Sequence, residues 1–316
     1  MKTILQSPGN CGILPWVIFM KKQAKGISAL LVAVLIWGST FVAQSVGMDY
    51  VGPFTFAAVR CTLGLLVMVP MSLFLERKKP GYWTRWTDKK LLTAGLLCGI
   101  ALFFATTLQQ VGLIYIDAGK SGFLTAMYIV LVPIGGLFLK RKVAKSAWLG
   151  VVLAVAGLYL LSFSGGFGNV NRGDILTIGC AVCFAIHILL VDRLAGSLNP
   201  LRLNILQALC CCLLSTVGMA LRETPLVLPN IWACMPALCY SGMLSLAVGY
   251  TLQAVGQKNL NPTAASLIMS LESVVAVICG TLILRERMSG WEISGCVLMF
   301  AAVILSQLPD KKGCKA

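Results

Sequence analysis

Thr107-Leu108-Gln109-Gln110-Val111-Gly112 and Thr251-Leu252-Gln253-Ala254-Val255-Gly256 are near copies, 144 residues apart, and each closes a long apolar window. The register continues past the echo. Ser121 to Lys142 lies over Ser266 to Arg287 at an offset of 145, each an apolar run that ends in basic residues. Trp148 and Trp291 then open the next pair of windows. Three ordered echoes at offsets of 143 to 145 residues read as an internal duplication of the chain.

The duplicated unit is apolar throughout. With 58% hydrophobic and 12% charged residues over 316 positions, and a mean hydropathy of +0.87, the chain lacks the polar surface to cover a water-soluble globule. Crossing a bilayer core takes about 20 helical residues. Windows of that kind run over 27–47, 53–75, 91–112, 118–139 and 147–165, and again over 175–191, 203–221, 231–256, 263–284 and 291–308. The predicted fold class is therefore an all-α integral membrane protein of ten transmembrane helices. Five helices per unit is an odd number, so the second unit enters from the opposite side and the two are inverted repeats. Inverted repeats place a binding site near the bilayer midplane, exposed alternately to each side. The expected organisation is an N-terminal extension over 1–26, one repeat over 27–165, a second over 174–308, and a short basic tail over 309–316.

A net charge of +15 could suggest nucleic acid, but the excess sits at the ends of apolar segments and reads as topology instead. With the N-terminus in the cytoplasm, twenty basic residues fall inside and five outside, Arg60 lying within a span. This satisfies the positive-inside rule with both termini cytoplasmic, in the plasma (inner) membrane, and most of the bias comes from the first half. The apolar stretch Cys11 to Met20 is too short to span, and Met20 precedes Lys21 and Lys22, as at the start of an N-in helix. Translation is expected to begin at Met20. The thirteen cysteines mostly lie in apolar windows as small hydrophobes. Cys180 and Cys183 have C-x-x-C spacing without a second pair, the aspartates cluster at helix ends, and neither a P-loop nor a nucleophile elbow occurs, so no metal or cofactor is expected.

Trp37-Gly38-Ser39 with Phe41 in the first window, Arg60 in the second, and Ser270-Leu271-Glu272 with Arg285-Glu286-Arg287 in the ninth and its exit resemble the drug/metabolite transporter superfamily, specifically the EamA-type permeases. The resemblance covers nearly the whole chain, from about Ile27 to Leu308, and implies a ten-helix transporter whose relatives carry amino acids, nucleotide sugars, sugar phosphates and other metabolites or drugs. Ser273 stands where the family usually has proline after the glutamate, and Cys61 where phenylalanine often follows the arginine.

Glu272 lies near the middle of its window with no other charge in that helix, and an ionised carboxylate at such depth is costly unless paired or hydrated. It is placed to take up and release a proton during transport, or to serve as a structural carboxylate bonded to serines or Arg60. Its counterpart in the first unit is Met127, so one half alone carries the charge. Arg60, the one basic residue inside a span, either faces an anionic substrate group or snorkels and fixes packing. The lone His187 falls near Ser39 by the repeat, as a substrate or proton contact or as a hydrogen-bonded core residue. Trp37 and Tyr128 either wall a cavity or pack. Gln109 and Gln253, toward the outer and inner ends of their helices, read as gate or pathway positions or as interhelical amide bonds.

The function expected is secondary transport of a small metabolite, an amino acid or related compound, by alternating access, with export the favoured direction and proton coupling through Glu272. The alternative is a membrane-embedded lipid-acting enzyme or a lipid flippase subunit. Partners are a small-molecule substrate and the lipid bilayer, with no nucleic acid, and the protein is expected as a monomer or homodimer. The intact functional protein should have a mass starting at Met20; a mass starting at Met1 overturns that expectation.

Overall fold

The computed structural model describes residues 13–78, 81–140, 143, 145–162, 171–284 and 290–307. Within hydrocarbon a chain can satisfy its own amides only by forming helices or closed barrels. Here it forms helices: α1 (Ile13–Met48), α2 (Pro53–Glu76), α3 (Lys89–Gly112), α4 (Ala118–Ala126), α5 (Tyr128–Phe138), α6 (Lys145–Ser162) and α7 (Arg172–Leu194). There follow α8 (Pro200–Arg222), α9 (Leu228–Ala233), α10 (Met235–Cys239), a π-helical stretch (Tyr240–Gly249), α11 (Tyr250–Gln257), α12 (Pro262–Met269), α13 (Glu272–Leu284) and α14 (Gly290–Gln307). No strand occurs among the described residues. Eight helical segments there are long and apolar enough to cross a membrane, and two shorter apolar helices cover Lys145–Leu160 and Ile293–Leu305.

Polar caps and prolines set the helix starts. Asp88, Asn171, Asn199 and Asn261 each accept a backbone N–H from the first turn that follows, and Pro53, Pro200 and Pro262 occupy first-turn positions where no amide is needed. Helix α1 begins earlier than its window. It runs from Ile13 through Met20 and Lys21 without a break, about 54 Å at 1.5 Å per residue. Residues 1–12, the Arg285-Glu286-Arg287 motif and the tail over 309–316 lie outside the described residues.

Two apolar windows are interrupted in the middle. The fourth window breaks at Met127, between α4 and α5, and the ninth at Ser270 and Leu271, immediately before Glu272. The second break forms although Ser273 replaces the family's proline. Ser270 Oγ donates to Leu267 O at 2.8 Å and Ser273 Oγ to Ser270 O at 2.7 Å, and such bonds compete with the helical ladder. The backbone tightens to three-residue spacing there, Leu271 N to Ile268 O and Ser273 N to Ser270 O, both 3.2 Å. At the other break Met127 N reaches Leu124 O at 3.2 Å, and Pro133 withholds the amide that would have met Ile129 O.

Small residues let the helices approach closely. A β-carbon on Gly112 would stand 2.5 Å from Thr177 Oγ1 where α3 meets α7, and one on Gly256 2.5 Å from Leu30 Cγ where α11 meets α1. Gly157 similarly brings α6 onto Gly295 of α14. Helices α2 and α8 clasp each other reciprocally at both ends. Glu76, ending α2, pairs with Arg202 in the first turn of α8 at 2.7 Å and accepts from Asn199 Nδ2 at 2.6 Å. The Arg202 guanidinium also lies 5.1 Å from the Tyr82 ring and 5.6 Å from that of Trp86. Glu223, just past α8, accepts Phe54 N at 2.9 Å and Thr55 N at 2.7 Å in the first turn of α2.

The two clasps differ in burial. Glu76 and Arg202 are 6% and 3% exposed at their side chains, so Glu76→Ala strands a buried guanidinium and should cost about 3–5 kcal/mol. Glu223→Ala loses a helix-start acceptor at a half-buried position, about 1–2 kcal/mol. Thermal unfolding of the purified protein should rank the variants in that order.

Candidate functional site

A cavity lies where α1, α2, α3, α5, α7, the π-helical stretch, α11 and the α12–α13 break converge. The two helix breaks place its central polar pair. Tyr128 is the first residue of α5 and Glu272 the first of α13, and the Tyr128 hydroxyl donates to Glu272 Oε1 at 3.0 Å. Glu272 is 6% exposed, and its carboxyl group sits at the helix end where the peptide dipoles favour negative charge. Neither a serine nor Arg60 holds it. The sequence-level alternative of a bond to those groups is replaced by the tyrosine.

Arg60 lines the same cavity from α2 and is 4% exposed. Among the described residues no carboxylate lies within 4 Å of it, and its buried Nε has no hydrogen-bond partner. Arg202, equally buried, differs in having the Glu76 carboxylate at 2.7 Å. A fixed cation at such depth, with no carboxylate within 4 Å among the described residues, attracts an anion.

Gln109 and Gln253, expected at opposite ends of a pathway, both line this one cavity. Gln109 is tied down, accepting from Gln44 Nε2 at 3.4 Å and donating to Thr125 Oγ1 at 3.2 Å. Gln44 also donates to Gln110 Oε1 at 3.2 Å, and Gln110 Nε2 returns to Gln44 O, so three amides knit α1 to α3. Gln253 differs, with a buried Oε1 that has no partner.

Trp37 lines the cavity, its ring 5.0 Å from that of Tyr250 and its Nε1 donating to Ser245 O at 3.3 Å. Gly249 makes that seat possible, because a β-carbon there would fall 2.5 Å from Trp37 Nε1. Tyr128 packs edge-on against Phe184 with centroids 6.5 Å apart. Two expected site residues stand off the cavity wall. Ser39 Oγ bonds within its own helix to Leu35 O at 2.7 Å and meets Tyr240 Oη at 2.6 Å, because a helical hydroxyl readily turns back on the preceding turn. His187 is fully buried behind Tyr250, with Nε2 3.0 Å from Gln207 Oε1.

Gln44, Phe184, Ser245 and Tyr250 also line the cavity and were not singled out from the sequence. Gln44 carried a signal, as a lone primary amide in an apolar window. The others are indistinguishable from packing residues until the helices are assembled.

The EamA-like transporter family profile matches residues 24–163 and, a second time, 171–308. An uncharacterized transporter of Archaeoglobus fulgidus is 31% identical over 301 residues, covering 92% of this chain and 91% of its own. The threonine/homoserine exporter RhtA of Salmonella typhimurium is 26% identical over 243 residues, 70% of this chain and 81% of its own. A chain in a solved crystal structure superimposes with a TM-score of 0.72 at 18% identity over 90% of this chain and 96% of its own length, so the two share a fold. The apolar helices, the cavity between them and the profile match over both halves thus agree, and this multi-pass membrane protein belongs to the EamA-like transporter family.

Proposed function

We propose that this protein is a secondary transporter that moves a small zwitterionic metabolite, an amino acid or close relative, out of the cell by alternating access. The observation that carries the reading is Arg60, a buried cation on the cavity wall without a carboxylate partner among the described residues. Its planar donors suit a carboxylate. The free Gln253 Oε1 and the Glu272 carboxyl group suit an ammonium, while Trp37, Tyr250 and Phe184 give the side chain an apolar wall. Likeness to a threonine/homoserine exporter favours both the substrate class and the outward direction. Glu272, held by the Tyr128 hydroxyl, is the group that exchanges a proton in the cycle.

The architecture we infer is ten spans in two inverted five-helix repeats, 27–165 and 174–308, with both termini in the cytoplasm and the carrier in the plasma membrane. The extension over 1–26 and the tail over 309–316 then lie on the cytoplasmic side. Three correspondences support the duplication. The contact of α11 on α1 through Gly256 and Gly26 mirrors that of α3 on α7 through Gly112 and Gly173. Glu76 and Glu223, which clasp α2 and α8 at opposite ends, are 147 residues apart, as are Pro53 and Pro200. The half-helices that follow the two breaks open at Tyr128 and Glu272, 144 residues apart, the spacing of the Thr107–Gly112 echo.

Purified protein in proteoliposomes, loaded in turn with members of a broad amino-acid panel, tests the reading. Arg60→Gln should raise the apparent KM by roughly 10- to 100-fold, the loss of about 1.5–3 kcal/mol from a charge-assisted contact. Wild-type KM in that variant, or no flux of any panel member under a proton or substrate gradient, sinks the proposal. Glu272→Gln should abolish accumulation driven by a pH gradient while leaving substrate exchange, and unchanged accumulation removes Glu272 as proton carrier.

A further inference from the structure

The return from π to α geometry at Tyr250 leaves main-chain carbonyls out of step with the amides that would meet them in an α-helix. In a membrane interior each such carbonyl needs a donor from the protein. Asn204 of α8, fully buried, supplies it. Its Nδ2 lies 2.9 Å from Leu246 O and 3.1 Å from Ala247 O, with Thr251 Oγ1 at 2.9 Å and Met68 Sδ at 3.2 Å beside them.

Direction then propagates along the chain of amides. A carbonyl oxygen only accepts, so the Asn204 nitrogen must face the helix and its Oδ1 must face away. Oδ1 accepts from Gln207 Nε2 at 2.9 Å, which turns Gln207 Oε1 toward His187 Nε2 at 3.0 Å. That oxygen also only accepts. The hydrogen between them therefore belongs to His187 Nε2, and the lone pair sits on Nδ1, which is buried without a partner. The imidazole stands edge-on to the Tyr250 ring with centroids 6.0 Å apart. Tyr250 meets Trp37, and Trp37 Nε1 returns to Ser245 O inside the π-helical stretch. The circuit is closed from Asn204 back to the segment it holds.

We propose that Asn204, Gln207 and His187 form a one-way hydrogen-bonded strut that fixes the π register of the eighth apolar segment and positions Tyr250 on the cavity wall, with His187 a permanent Nε2–H donor. His187 is then a positioning residue, held by Gln207 and set against the Tyr250 ring behind the cavity wall. The functional half of this inference rests on the cavity being the substrate site; the hydrogen-bond direction does not.

His187 is the only histidine in the chain, so 15N-histidine labelling of tag-free protein in bilayers reports this ring alone. The wild type should show a single tautomer protonated at Nε2. Asn204→Leu leaves His187 itself untouched but frees the Gln207 amide to flip, and should populate the Nδ1-protonated form. A wild-type ring protonated at Nδ1, or an unchanged tautomer in Asn204→Leu, overturns the proposal. With labelled threonine as the transported probe, His187→Leu should raise KM about tenfold, whereas His187→Gln, which keeps a donor, should stay within about twofold in KM and in proton-driven flux. Equal damage from the two substitutions refutes the donor role. If Arg60→Gln leaves KM unchanged while the tautomer results hold, the substrate reading fails and the strut survives.

Discussion

Within hydrocarbon an amide or carbonyl that leaves its helix has no water to turn to, and each one left open costs several kcal/mol. Interruptions of the backbone are therefore confined to places where the protein itself can answer them. Three of those among the described residues lie at Met127, at Ser270 and Leu271, and along Tyr240–Gly249. All three border one cavity, and each is answered locally. The serine hydroxyls of the ninth window turn onto its own carbonyls, and Asn204 reaches across from α8 to two carbonyls of the π-helical stretch. The breaks in turn place what is useful. Tyr128 and Glu272 meet because each opens a half-helix at the same depth.

The same constraint sorts the buried charges into two kinds. Arg202 has a carboxylate at 2.7 Å and two aromatic rings around its guanidinium, and it ties α8 to α2. Arg60, buried as deeply, has a cavity in front of it instead of a carboxylate. Burial alone does not separate these two arginines; the carboxylate partner does. Glutamines divide in the same way, Gln109 being engaged with Gln44 and Thr125 while Gln253 keeps an open acceptor.

The α2–α8 pairing uses similar contacts at its two ends with unequal burial. Both clasps use a carboxylate at the C-terminal end of one helix to hold the start of the other. One has become a buried ion pair with an aromatic cage, and the other has kept neutral backbone donors at a half-buried position. Such unequal ends suit a molecule whose two faces meet different surroundings.

Much of the fold was legible in the sequence because lipid leaves few alternatives. Long apolar windows must be helices, and Thr107–Gly112 is echoed in Thr251–Gly256. Glu272, Arg60, Trp37 and Tyr128 could be picked out as charge or aromatic surface at mid-depth, and all four line the cavity. Periodicity could not say which way a side chain faces in a helix apolar all round. Ser39 and His187 lie at the right depth yet turn to Tyr240 and Gln207, while Gln44 and Tyr250 turn inward. The sequence by itself determined the solvent, the helices and the deep charged residues, since hydropathy and desolvation cost are properties of single windows and single groups. Only the tertiary structure decided which of those groups found a partner and which were left facing the cavity, because a hydrogen bond depends on two helices meeting at one depth and one rotation.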